Sequence, residues 1–396
     1  MDNKADHSYQ ATHYDIIIAG AGCAGLSLLY SILRSPVLSS QKILVVDKSF
    51  EKSNDRTWCF WETHNGKFDA LVCKKWEQIS VHKNEFSTTL PTAPFTYKMV
   101  EGIEFYKHVM DFAKQFTNLH WQEAHISSID TINEEAIVYW EGGAAHGRKV
   151  FSSIFPIDDL YVISQSKQST PFLWQHFKGH LVSFEESVFD DRVARLMDFN
   201  VDQHGATAFM YVLPLSDKKA LVEYTLFSKT LLKPEAYSQA INHYIQAHYP
   251  AISYQIIHEE IGAIPMTTQS LAKSKAPIYV IGTLGNAVKA STGYAFQFIQ
   301  AQVDTIVSNL EQGGPIQTEV QQTRHQFYDA VLLYILYHDL MEGSEIFKRI
   351  FEKNSIETIF KFLSNTSSIW EDIRIMRSLP TKIFLPAAIK VLFRRG

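Results

Sequence analysis

The spacing of apolar residues predicts an α/β (α+β) fold: a Rossmann-like domain, an antiparallel β-sheet domain inserted into it, and a helical C-terminal region. Three observations carry this. An apolar run, Asp15–Ala19, leads directly into Gly20-Ala21-Gly22-Cys23-Ala24-Gly25 and a helical segment, Leu26–Leu33. Between Phe172 and Ile264 the chain turns to longer runs rich in Val, Phe and Tyr, the texture of antiparallel strands. From residue 315 onward the apolar spacing is helical.

Each part of the N-terminal pattern has a physical role. Gly20 permits a tight turn, and Gly22 lacks the Cβ that would hold the backbone away from a pyrophosphate. Gly25 lets helix and strand pack closely, and the free N–H groups at the helix start face phosphate charge. A second strand, Ile43–Val46, ends on Asp47, about twenty residues past the glycines, where an acid accepts hydrogen bonds from a ribose 2′-OH. Together these elements predict dinucleotide binding. A late strand, Ile278–Ile281, runs into Gly282-Thr283-Leu284-Gly285, and then come Ser291-Thr292-Gly293 and a helix through Val307. A second glycine-bearing turn at the far end of a split domain points to FAD rather than NAD. The cofactor-binding set is therefore Gly20, Ala21, Gly22, Cys23, Ala24, Gly25, Asp47, Arg56, Gly282, Gly285 and Gly293. The predicted division places the FAD-binding domain at 1–75, 101–170 and 271–314. The sheet domain takes 76–100 and 171–270, and the helical region 315–396.

Composition narrows the function classes. At 396 residues the chain exceeds one hydrophobic core. A formal net charge of −5 argues against nucleic acid as a partner, which needs a basic surface. Cys23, Cys59 and Cys73 have no metal-ligand spacing, so no metal is expected and a reducing compartment fits. Residues 1–13 carry no apolar signal core, and no run reaches the ~18 apolar residues of a membrane span. The 26 Phe, 18 Tyr and 7 Trp suit either a large core or a long apolar ligand tunnel.

In chain order, Lys48–Asn54 reads as a polar loop that continues into Asp55-Arg56-Thr57-Trp58-Cys59-Phe60-Trp61, an unusual concentration of aromatics for a loop. Trp76–Phe86 alternates like a strand, and Val100–Phe116 is helical. His120–Gln122 and Ala136–Trp140 read as strands joined by a polar turn at Asn133–Glu135. Phe151–Ile157, ending on Asp158-Asp159, reads as a strand that returns to the cofactor sheet. Ala206–Ser216 and Ala220–Leu226 form a hairpin around Asp217-Lys218-Lys219. Tyr237–His248, Thr318–Asp339, Ser344–Lys353, Ile356–Leu363 and Ile369–Ser378 have helical spacing.

The hairpin carries the chemistry. In Leu221-Val222-Glu223-Tyr224-Thr225, alternation puts Leu221, Glu223 and Thr225 on one face of the strand. A carboxyl there, if turned inward, is desolvated and holds a proton at neutral pH; turned outward, it is an ordinary solvated strand acid. Asp198 and Asp202, predicted on a neighbouring strand, are either structural or placed to tune that proton.

These segments resemble the lycopene cyclase family, and its bacterial β-cyclase branch in particular. The resemblance rests on Asn54–Trp61, Met197–Gln203, Val212–Ser216, Leu221-Val222-Glu223, Gly262-Ala263-Ile264-Pro265-Met266, Ser291–Phe296 and Ile373–Pro380, in the family's order. It implies an FAD-binding fold of the aromatic-hydroxylase and geranylgeranyl-reductase type, and closure of the acyclic ends of lycopene into β-ionone rings without net oxidation. It further implies a reduced flavin supplied with electrons by NADPH, and Glu223 as the essential acid or base. Two positions depart from the family pattern. Tyr224 stands where many relatives have a second acid, and Ala290 where proline is usual. A redox flavoenzyme on the same scaffold stays open as an alternative, although hydroxylases carry Gly-Asp where this chain has Gly282-Thr283. A non-enzymatic carotenoid carrier is the third reading. Lycopene is too apolar to travel through water, so a cytoplasmic enzyme on the inner face of the membrane is expected. Its contact is predicted at Leu379–Gly396, where Ile383, Phe384, Leu385, Ile389, Leu392 and Phe393 alternate with Lys382, Lys390, Arg394 and Arg395. An ordinary packing helix with a basic tail is the other reading of that stretch.

Overall fold

The computed structural model describes residues 12–154, 160, 163–164, 170–318 and 324–394. Residues 1–11, the predicted strand end at Asp158-Asp159, residues 319–323 of the predicted Thr318–Asp339 helix, and Arg395 and Gly396 lie outside them.

One sheet runs in the order Leu119–Glu123, Ile43–Asp47, Thr12–Ala19, Gly143–Ser152, Glu135–Trp140, Ile126–Ile132, and Ile278–Val280 pairs with Gly143–Ser152. Its inner pairings are parallel, as a Rossmann-like core requires. Ile16, Ile17, Ile18, Val45 and Val46 are buried in the middle of it, because strands covered on both faces read as unbroken apolar runs. Two predicted boundaries shift. The returning strand is Gly143–Ser152, which begins earlier than the predicted Phe151–Ile157, of which residues 155–157 lie outside the described residues. The polar turn at Asn133–Glu134 joins Glu135–Trp140 to Ile126–Ile132, not to the strand at His120. Ile126–Ile132 is a mostly exposed edge strand, so its sequence, Ile-Ser-Ser-Ile-Asp-Thr-Ile, shows little alternation.

The second sheet, in the order Tyr254–Met266, Leu173–Phe184, Lys219–Ser228, Thr207–Pro214, Val193–Asp198, Gln78–Lys83, Phe86–Pro91, is antiparallel except where Val193–Asp198 meets Gln78–Lys83. The predicted strand Trp76–Phe86 is thus split between this sheet and a third, small one. That third sheet is Thr57–Glu62, Thr96–Glu101 and Val72–Trp76. The aromatic segment expected as a loop is its first strand.

The large antiparallel sheet has two unlike faces. On one, Val222, Tyr224, Met210, Val212 and Val182 pack under the helix Pro234–His248 through Tyr237, Ile241, Tyr244 and Ile245. On the other, Leu221, Phe209, Leu213 and Phe227 join a larger core with Trp61, Trp76 and Tyr97 of the small sheet. The C-terminal helices Arg324–Tyr337, Gly343–Lys353 and Ile356–Leu363 close that core. The chain ends in the helices Ile369–Arg377 and Thr381–Arg394.

Candidate functional site

The glycine turn is built as its spacing demands. Gly20 has φ of +104°, and a Cβ there would strike the Ser153 hydroxyl; one on Gly25 would strike the Gly20 carbonyl oxygen. Gly22, which caps the helix Cys23–Arg34, differs: a Cβ built on it meets nothing within 4 Å. Open space in front of a helix N-terminus is where a phosphate is held. Asp47 sits against this turn, its carboxylate accepting the Ala21 N–H at 2.5 Å and the Ser49 N–H at 3.1 Å and pairing with Lys52 at 3.1 Å. The exposed Arg56 pairs with Asp55 at 3.2 Å. Its charge reaches Cys23, opposing the burial that pushes that thiol up to about 12.

The late turn lies beside the early one. Gly282, at φ +70°, packs so closely on Ala24 that a Cβ would come within 2.8 Å of the alanine methyl. Its N–H donates to Gln302 at 2.8 Å. Gly285 packs on the Val280 carbonyl, and Gly293, at φ +73°, abuts the side-chain oxygen of Gln175. That oxygen and the Thr292 hydroxyl are buried with no hydrogen-bond partner in the protein. Orphaned polar atoms beside a glycine turn fit a site completed by a bound polar group. The turn is tied to the helical region by buried Lys289, which pairs with Asp329 at 2.8 Å and donates to Asn365 at 2.7 Å, while Ser291 donates to Asp329 at 2.7 Å. With these anchors the turn keeps its shape although Ala290 replaces proline. The residues therefore suit a dinucleotide gripped at both ends.

The strand Thr57–Glu62 links this half to the antiparallel sheet by simple alternation. Trp58 and Phe60 turn toward Phe296 in the cofactor-domain core, with ring centroids 5.6 and 4.7 Å away. Thr57, Cys59 and Trp61 turn the other way. Trp61 stacks on Phe360 at 4.3 Å, meets Tyr294 edge-on at 4.8 Å, and donates to Ser364 at 2.7 Å.

On the sheet face that receives these residues, Glu223 is half-buried and does not stand alone. Gly179 pairs with Glu223 on one side and with Glu260 of the edge strand Tyr254–Met266 on the other. Having no side chain, Gly179 lets the two carboxyls meet over it: a Cβ there would lie 3.1 Å from Glu260 Cγ. The two carboxyls are close enough to act on each other's proton affinity. Thr225 donates to Glu223 at 2.8 Å and Thr57 donates to Glu260 at 2.9 Å. Burial, and then the neighbouring Glu260, push the Glu223 carboxyl well above the usual carboxylate range. Burial raises Glu260 too, opposed by the Thr57 hydrogen bond. Around them stand Tyr211, Tyr294, Tyr97 and Cys59, every one pushed upward by burial, Tyr294 to about 12. The site is an aromatic compartment with two neighbouring carboxyls at its centre, Glu223 biased by burial toward its protonated form.

Asp198 and Asp202 are elsewhere. Asp198 is paired with Met210, hence on the face opposite Glu223, because Met210 aligns with Tyr224. It is buried and fully occupied: Tyr244 donates to it at 2.7 Å, the Asn200 N–H at 3.1 Å and Arg195 at 3.2 Å. Asp202 lies in the exposed loop after that strand and accepts the His204 N–H. Neither is placed to tune Glu223. Glu260 is the acid that sequence reasoning missed. It stands two residues before Gly262, on the same face of one strand, and only the sheet register through Gly179 brings it to Glu223. Among the described residues, His13, Glu135 and His146 have metal-ligand spacing, but they lie at the opposite end of the strand Thr12–Ala19 from the glycine turn. Each ring already pairs with Glu135, at 3.3 and 3.2 Å.

Lycopene beta-cyclase of Pantoea ananas is 26% identical over 306 residues, 74% of each chain. Among solved structures, a geranylgeranyl bacteriochlorophyll reductase-like protein of Thermoplasma acidophilum superposes with a TM-score of 0.61 at 11% identity. It spans 97% of this chain and all of that one. Klebsiella pneumoniae HpxO complexed with FAD and uric acid gives 0.61 at 12% identity, over 90% of this chain and 96% of that one. These structural likenesses show that the fold is shared with a reductase-like protein and with a protein solved in complex with FAD. The profile of the family described as lycopene cyclase protein matches residues 15–388, and the chain belongs to that family.

Proposed function

We propose that this chain is a lycopene β-cyclase that closes the ψ-end groups of lycopene to β-ionone rings, without net oxidation, with FAD in its reduced form. The observation that carries the reading is Glu223: a proton-holding carboxyl in an aromatic compartment lined by Tyr294, next to the late glycine turn. The glycines Gly20, Gly22 and Gly25, with Ala21, Cys23, Ala24, Asp47 and Arg56, hold the dinucleotide at one end; Gly282, Gly285 and Gly293 hold it at the other. A reduced flavin held by these residues would supply negative charge to the reaction, with NADPH as its electron donor. Glu223 delivers a proton to the terminal alkene, the neighbouring alkene attacks the tertiary cation, and a ring proton is lost. The rings of Trp61, Tyr97, Tyr211 and Tyr294 exclude water and give the developing positive charge an aromatic, low-dielectric surrounding.

The test is lycopene supplied in liposomes to purified protein with FAD and an anaerobic reductant, followed by chromatography and mass measurement. A product isobaric with lycopene and carrying β-rings supports the reading. Oxygenated or reduced product favours a redox flavoenzyme, which the reductases and monooxygenases of the same fold keep as the second reading. Gly22→Val is the cofactor control. Its side chain enters open space, so the variant should fold and yet retain no FAD.

A further inference from the structure

We propose that Glu260 is the positioning residue for the catalytic proton: Glu223 and Glu260 share one proton, and the negative charge on Glu260 keeps it on Glu223 until an alkene takes it. This rests on the cyclisation reading. Three features of the geometry point to it. Gly179 is the one position between the two strands, and its missing side chain allows the carboxyls to meet. The hydroxyl of Thr57, from a different sheet, donates to Glu260 Oε2, a contact that favours the ionised form at Glu260. Among the described residues, no cation on this face is shared between the two acids. The titratable groups facing them are Cys59 and Tyr97 of the small sheet, Tyr211 of the adjoining strand and Tyr294 of the late turn, all neutral at neutral pH. His258 and Asp55 approach Glu260 alone; the His258 ring is engaged with the Asn54 carbonyl at 2.5 Å, and Asp55 with Arg56. Lys178, His180 and Glu259 project from the opposite face, where they pair with one another.

The proton balance closes on the pair itself. The O–H bond of Glu223 breaks as a C–H bond forms on the terminal alkene carbon. Both carboxyls are then anionic and face the tertiary cation, the arrangement that stabilises it most. After ring closure a ring C–H bond breaks, its electron pair becomes the ring double bond, and the proton returns to the carboxyl pair. Repulsion between two adjacent anions favours that return. Nothing is oxidised or reduced.

The test uses the FAD-loaded protein and reads the carboxyl directly. The infrared C=O band of a protonated carboxyl that disappears in Glu223→Gln reports Glu223, and its pH midpoint is measured with and without Glu260. Glu260→Gln keeps the shape, removes the charge, and should lower that midpoint by about one pH unit or more. The alkaline limb of kcat should move with it, leaving KM nearly unchanged, and Glu260→Asp should restore most of the shift. Thr57→Val should move the midpoint the same way by less, because Glu260 then carries its charge less readily. Equal midpoints in wild type and Glu260→Gln would overturn the proposal even if lycopene is cyclised. A shifted midpoint in a protein that does not cyclise lycopene would instead leave the proton pair standing and remove the substrate reading.

Discussion

The two faces of the large antiparallel sheet each bury an acid, and they treat it in opposite ways. Asp198, under the helix Pro234–His248, receives a guanidinium, a phenol and a backbone N–H. Glu223, under the small sheet and the late turn, receives a threonine hydroxyl and a second carboxyl. A carboxylate with a cation and two neutral donors is a solved problem of burial. A carboxyl set against another carboxyl is stable only while a proton sits between them. The first arrangement suits folding, and the second is the one that the proposed cyclisation uses for proton transfer.

That contrast is tested first by removing each acid. Glu223→Gln should lower cyclisation by about 10²–10⁴ while FAD stays bound and the protein stays folded. Near-normal β-carotene formation would contradict the assignment. Asp198→Ala should do the reverse. It strands Arg195 and the Tyr244 hydroxyl, so it should cost about 3 kcal/mol in denaturant unfolding while activity per folded molecule is kept. If Asp198→Ala removed activity without loss of stability, the two faces would have been assigned the wrong way round.

The pH dependence of stability sharpens the same point. Glu223 has a raised proton affinity in the folded state, so its contribution is fully present below the unfolded carboxyl pKa. It is lost as pH rises through the folded value. Above about pH 4.5 the wild type should therefore lose stability relative to Glu223→Gln, by at most about 1.4 kcal/mol per pH unit. Melting temperatures of the two proteins across pH 4–8 check it. A wild type that held or gained stability relative to Glu223→Gln as pH rises would contradict the burial of a protonated acid. Gly179→Ala is a gentler probe. Its methyl would press on Leu221 at 3.0 Å and Glu260 at 3.1 Å, and should separate the carboxyls for about 1–2 kcal/mol of stability.

How much of this was legible in sequence follows from what each signal depends on. The glycine turn and the helix behind it are local, and Gly20, Gly25 and Asp47 stand where spacing put them. The alternation around Glu223 correctly set it apart from Tyr224. The choice between Asp198 and Glu260 was not legible, because both are two strands away from Glu223 in the finished sheet. The faces differ only through the register, including the irregularity between Arg195 and Asp198. Likewise, Thr57–Trp61 read as a loop because its partner strand, Thr96–Glu101, is distant in sequence and its aromatics fill both faces. Non-local pairing left no mark that a period-2 pattern could detect.

The smallest expected effect concerns how the proposed apolar substrate would reach the covered face. No helix among the described residues is long and apolar enough to cross a membrane. The predicted contact at the C-terminus divides in the structure. Ile383 and Phe384 pack against the core, whereas Leu385, Ile389, Leu392 and Phe393 point outward, Phe393 at 79% exposure. The preceding helix adds Trp370, 76% exposed, with Ile373 and Met376, and exposed Arg374, Arg377, Lys382 and Lys390 lie on the same two helices. Apolar side chains with interspersed cations suit the interface of an anionic bilayer. Replacing Trp370 and Phe393 together by Ser should weaken sedimentation with anionic liposomes by about tenfold or more, since each ring loses about 1.5–3 kcal/mol of burial. Lys382→Gln with Lys390→Gln should weaken it less, and only at low salt. Activity toward lycopene dispersed in detergent should be unchanged in both variants, because neither touches the carboxyl pair. Liposome binding that ignores all four substitutions would place the entry of substrate elsewhere on the surface.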